Sequence, residues 1–177
     1  MQRRLSRHLG AIMCAALAST GALPVAAAAD AFLAQLGGRW QLVGTVRGQP
    51  VTARGEGRWV LKDAWLCFTL IDRDRPGYRA QIYLGADPKG GDYVVHWLDQ
   101  FGAAGARVAG SGKRDGQQLV LQIPYAEGAF RDTLTLAADG RSGTLLLESQ
   151  EKDGHWSTFA SYRLQRLPAS EPAAARP

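Results

Sequence analysis

The chain has almost no cysteine: Cys14 and Cys67 are the two in 177 residues. Cys14 falls in an N-terminal stretch patterned as a targeting segment, so the mature chain would keep Cys67 alone and form no intramolecular disulfide. The run Trp65-Leu66-Cys67-Phe68-Thr69-Leu70 makes Cys67 a small buried apolar residue with no adjoining base to lower its pKa. Histidine is also scarce, with three in the chain. His96 and His155, the two beyond the targeting segment, show no metal-ligand spacing, so no metal site is expected. P-loop and dinucleotide fingerprints are absent, and Gly110-Ser111-Gly112 lacks the strand-to-helix turn of a nucleophile elbow. Nor is there an apolar run long enough for a membrane-spanning helix. No cofactor is expected.

Basic residues are in excess, with a net charge of +5, but three arginines of that excess sit in the first seven residues. Their removal with no acid lost leaves about +2. The remaining Lys and Arg are scattered over turns and strand faces, which is not the clustered footprint of a nucleic-acid binder.

What the chain does have begins with that N-terminal segment, residues 1–29. Arg3, Arg4 and Arg7 form a basic leader, 9–17 is apolar, and Ala27-Ala28-Ala29 offers a cleavage site before Asp30. Ala11-Ile12-Met13 lacks the small residue that a lipoprotein signal places just before its cysteine. A periplasmic or secreted protein is therefore expected, with lipid anchoring at Cys14 the minor alternative. Residues 30–167 form one domain of adequate size for a core. The tail 168–177 is rich in Ala, Pro and Ser and cannot bury enough surface to order itself.

Within 30–167 a short apolar helix is expected over 30–36, and everything after it alternates. Candidate strands run over about 38–47, 51–61, 64–73, 78–85, 93–99, 106–113, 117–125, 129–137, 142–151 and 155–167. Between them lie Arg75-Pro76-Gly77, Pro88-Lys89-Gly90, Asp115-Gly116, Ala138-Asp139-Gly140 and Asp153-Gly154, the residues of tight hairpins. Ten sequential antiparallel strands without crossovers imply an all-β fold, a single up-and-down barrel.

That barrel would start at Gly38-Arg39-Trp40. Gly37 and Gly38 let the helix end and the chain turn, and Trp40 opens an alternation with Leu42, Gly44 and Val46 on one face. A G-x-W on the first strand after a short helix resembles the lipocalin (calycin) barrels. The run Gly38-Arg39-Trp40-Gln41-Leu42-Val43-Gly44 is partly similar to the nitrobindin-like haem barrels, with Leu42 where their pattern has glycine. The order of Gly38-Arg39-Trp40, Arg58-Trp59-Val60-Leu61, Gly85-Ala86-Asp87 and Tyr93-Val94-Val95-His96-Trp97-Leu98-Asp99 looks most like uncharacterised secreted bacterial lipocalin-like domains. The resemblance spans most of 30–167. It implies that a basic side chain of the last strand, Arg163 or Arg166, covers Trp40 in a cation–π contact worth about 0.5–2 kcal/mol. In the nitrobindin-like barrels a C-terminal histidine holds the haem iron; His155 precedes the last strand instead of lying within it.

The expected inward faces are apolar: Leu119, Leu121 and Ile123; Ala80, Ile82 and Leu84; Trp156, Thr158, Ala160, Tyr162 and Leu164. Asp132 is the exception, in phase with Phe130, Leu134 and Leu136. A carboxylate there needs a partner, for which Arg58, Tyr125 and Tyr162 are candidates, or it belongs to a structural ion pair or reaches solvent at a strand end. Asp99 is read as a turn residue accepting backbone N–H groups. Ten strands enclose more space than side chains fill. The leading expectation is a non-catalytic barrel binding a small apolar or amphipathic molecule, oriented by Asp132, Arg58 or a tyrosine. An enzyme using Asp132 or Glu56 as acid/base, a packed structural module of the cell envelope and a haem barrel remain as alternatives. Oligomeric state is left open.

Overall fold

Side chains that alternate every second residue turn most of this chain into ten antiparallel strands joined in sequence order. The computed structural model describes residues 30–73, 78–87 and 91–168. Residues 1–29, where the targeting segment and Cys14 are expected, residues 169–177, where the expected tail falls, and residues 74–77 and 88–90 lie outside the described residues. Helix α1 (Ala31–Ala34) leads into β1 (Gly38–Val46), β2 (Gln49–Val60), β3 (Trp65–Asp72), β4 (Arg79–Ala86) and β5 (Asp92–Asp99). A single 3-10 turn, Gly105–Arg107, precedes β6 (Gly110–Asp115), followed by β7 (Gln118–Ile123), β8 (Phe130–Leu136), β9 (Ser142–Gln150) and β10 (Trp156–Arg166). Each strand pairs with its sequence neighbours, and β10 pairs with β1, so the sheet closes into a barrel. Closure gives every strand of the ring a neighbour on each side.

The expected all-β barrel with one short helix is thus the fold. The sixth strand differs, beginning at Gly110 instead of about 106. β5 and β6 pair only from Asp92↔Lys113 to Val95↔Gly110, so beyond Val95 they part and residues 100–109 form a separate connection.

One end of the barrel is plugged. Asp30 caps α1, its Oδ1 accepting the Leu33 N–H at 2.8 Å and its Oδ2 the Tyr93 hydroxyl at 3.1 Å. Phe32, Leu33 and Leu36 are buried with Trp40, Leu119 and Leu136. Trp40 is fully buried and donates its indole N–H to the Leu36 carbonyl at 3.0 Å. Arg166 is the basic residue over Trp40, its guanidinium carbon 4.4 Å from the ring centroid. It also donates to the carbonyls of Gly37 (2.5 Å), Gly140 (2.9 Å) and Gln35. Arg163, exposed on the outer face, makes no such contact. Two glycines permit this packing. Gly38 turns at φ 88°, and a Cβ on its cross-strand partner Gly57 would lie 2.1 Å from the Leu36 carbonyl oxygen.

One inward face differs from its expected phase. The β10–β9 register shifts between Thr158 and Ala160, a bulge that inserts Phe159. Beyond the bulge Ala160, Tyr162 and Leu164 point inward as expected. Before it the phase reverses, which puts Trp156 on the outer face under Arg131, 4.5 Å from its ring centroid, and exposes Thr158.

Candidate functional site

The end opposite α1 opens into a cavity of about 940 Å³, the upper range of small-molecule sites. Its rim comes from the β1–β2 and β7–β8 turns and the long connection after β5, and its walls from the upper halves of the strands.

Two aromatic groups face each other across the ring. On the β7–β10 side Tyr125, Phe130 and Phe159 stack edge to face, with centroids 5.7 and 5.2 Å apart. The bulge in β10 is what aims Phe159 inward. Arg47, in the β1–β2 turn, lies 5.0 Å above its ring. On the β4–β5 side Trp97 donates its indole N–H to the Tyr78 hydroxyl at 3.3 Å, and Phe101, largely exposed at the rim, packs 6.0 Å from the Tyr78 ring. Tyr162 reaches the same space from β10.

Asp132 sits at the floor, between Leu121 of β7 and Leu147 of β9. It is 1 % exposed, the one charged side chain in the buried core of the described residues. Its Oδ1 has no hydrogen-bond partner among them. Burial pushes its carboxyl up from 3.8 to about 7, because a charge taken out of water without a partner is costly. Tyr125 is pushed up to about 12, first by burial and then by the nearby charges of Asp132 and Asp99. Burial likewise raises Tyr78, so both phenols stay protonated near neutral pH.

The expected residues therefore separate. Asp132, Tyr125 and Tyr162 all line the cavity. Among the described residues Asp132 has no ion-pair partner, and it is not at a solvent-facing strand end. Arg58 lies elsewhere: it projects from the outer face of β2, its side chain 73 % exposed, and pairs with Glu56 at 2.7 Å. Gly55, Gly57 and Trp59 take the inward positions of that strand, which leaves Glu56 and Arg58 outside. Glu56 is accordingly no interior acid. Asp99 accepts the Phe101 N–H at 3.0 Å, the turn role its sequence suggested, and also faces the cavity. Asp72, Tyr78, Trp97 and Phe159 were missed as cavity residues. Trp97 and Asp99 could have been found by extending the inward phase of Tyr93 and Val95, whereas the bulge that turns Phe159 leaves no plain mark in sequence.

A haem does not fit the histidines among the described residues. His96 is on the outer face against Trp65, with ring centroids 6.0 Å apart, and His155 is exposed in the β9–β10 turn, its Nδ1 2.5 Å from Asp153 Oδ1. Neither reaches the cavity. Cys67 is buried as expected, though on the outer side of β3, opposite Arg58 and Tyr83.

No protein-family model matches the chain, and no curated protein matches it in sequence. Among solved structures it is similar to the crystal structure of Rv2717c from M. tuberculosis. The two share 16 % identity at a TM-score of 0.55, over 77 % of this chain and 95 % of that one. At that identity the likeness carries the fold alone, a closed antiparallel barrel. Among the described residues no helix is long and apolar enough to cross a membrane.

Proposed function

We propose that this protein is an exported barrel that binds a small amphipathic molecule in the cavity opposite α1. One observation carries the reading: a buried carboxyl with an orphan oxygen stands at the floor of a large, aromatic-lined space. A fold that only needed a packed interior would gain by replacing Asp132 with an apolar residue. An aspartate there has a use if a ligand supplies the missing hydrogen bond. The apolar part of such a ligand would lie against Phe130, Phe159 and Trp97, with Tyr125 and Tyr162 offering hydroxyls. Export rests on the leader pattern of residues 1–29.

Native mass spectrometry of protein purified from its own source tests the reading. A reproducible extra mass that disappears on denaturation is the expected result. A bare polypeptide mass, together with no uptake from an extract of small molecules, would refute it and favour a closed structural barrel.

A carboxyl held near neutral pH also favours a second reading, an acid/base enzyme acting through Asp132. Under it, a compound from such an extract would be consumed by the wild type and left untouched, though still bound, by Asp132→Asn. Binding without consumption in both returns the protein to a carrier.

A further inference from the structure

The charge of the cavity narrows the ligand class, on the premise that the cavity binds a small molecule at all. Among the described residues, Asp72, Asp99, Glu127 and Asp132 line it with carboxyl groups. Arg47 is the one cationic side chain on its described lining, and it sits at the rim over Phe159. Asp132 is the most buried of the acids on this lining, and its Oδ1 has no donor among the described residues. Around it are aromatic faces, whose quadrupoles attract cations.

Three kinds of polar head can be weighed against that surrounding. A carboxylate or phosphate head would bring like charge to an acidic, poorly solvated floor and offer Asp132 no hydrogen. A hydroxyl would offer the hydrogen but leave the buried charge without a counter-charge. A protonated amine supplies both, several N–H donors and a positive charge, and a charge-assisted hydrogen bond is roughly twice as strong as a neutral one. The aromatic walls then receive the apolar body and any part of the charge that Asp132 does not cover.

We infer that the cavity takes an organic cation, an alkyl- or arylalkylammonium whose N–H groups are received by the Asp132 carboxyl while its apolar body lies between the Phe130–Phe159 and Tyr78–Trp97 walls. Asp99, on the same side as Trp97, adds a second negative charge toward the mouth.

Calorimetric titration of the purified protein at pH 8 with decylammonium, decanol and decanoate, which share one tail, tests this. Decylammonium is expected to bind at least about tenfold more tightly than decanol, with decanoate weakest, as a charged hydrogen bond in place of a neutral one implies. Asp132→Asn is expected to remove that advantage, with an unchanged circular dichroism spectrum and cooperative unfolding reporting an intact barrel. Decanol or decanoate binding as well as decylammonium would overturn the cation assignment and leave the binding function standing. An ammonium preference that survives Asp132→Asn would also overturn it. Binding of none of the three would sink the small-molecule reading itself.

Discussion

Replacing Asp132 by asparagine changes how stability depends on pH, and the size of the change follows from the burial of one carboxyl. In the unfolded chain the group ionises near 3.8, and in the folded barrel near 7. Below the lower value both states hold the proton and Asp132 contributes nothing to the pH dependence. Between the two values the folded state keeps a proton that the unfolded state has released, so stability falls as pH rises. Above about 7 both states are ionised and the whole penalty is present. At about 1.4 kcal/mol per unit, that interval amounts to on the order of 4 kcal/mol, an upper bound because water entering the cavity relieves part of it. The asparagine amide carries no charge at any of these pH values. Urea unfolding of wild type and Asp132→Asn, followed by tryptophan fluorescence from pH 4 to 9, separates the two. The variant is expected to gain relative to wild type through this range and to level off above pH 7 to 8. Two stability profiles that run parallel across the whole range would refute the reasoning, since they would mean that Asp132 titrates alike in folded and unfolded chains.

Arg166→Ala removes three hydrogen bonds from a charged donor and the cation–π contact over Trp40, and is expected to cost about 3–5 kcal/mol in chemical unfolding. Arg163→Ala, on the outer face, should stay within about 0.5 kcal/mol, and equal losses for the two would contradict the latch. Gly57→Ala must push the end of α1 away from β2 and is expected to lower stability by about 1–3 kcal/mol; an unchanged Tm would show that α1 does not press there. Lys113→Ala breaks a surface ion pair with Asp92 whose side chains are 83 % and 58 % exposed, so its effect on unfolding should fall below about 1 kcal/mol. Iodoacetamide is expected to label Cys67 only after denaturation, as read by peptide mass spectrometry; rapid labelling of the native protein would show that the outer cover of β3 opens.

Most of the barrel was legible because its signals are local. Alternation and glycine-bearing turns are written within a few residues, so all ten strands could be placed before any contact was known. The Arg166 contact was half legible. Strand phase alone selects it over Arg163, because Arg166 shares a face with Tyr162 and Leu164 and stands directly across from Trp40. Phase failed where the backbone leaves its regular period. The bulge at Phe159 turned Trp156 outward and supplied an aromatic wall that an unbroken strand would not have. On β2 the inward positions Gly55 and Gly57 carry no hydrophobic mark, so Arg58 could be taken for an interior residue. Asp132 stood out because a carboxylate in an apolar phase is conspicuous, whereas Asp72 and Asp99, at strand ends, look like ordinary turn residues.

The pairing of β10 with β1 makes the first strand wait for the last. Arg166 holds the carbonyl of Gly37 from 129 residues away, so the plug at the start of the barrel is locked by a side chain made near its end. Until β10 has been synthesised, β1 and β9 both present unpaired edges, the most aggregation-prone feature a sheet can have. Closure over so long a separation also places this fold among the slower ones. A ribosome-stalled chain ending before Arg166 should therefore remain open and protease-sensitive, and should become resistant in one step once the final strand is released.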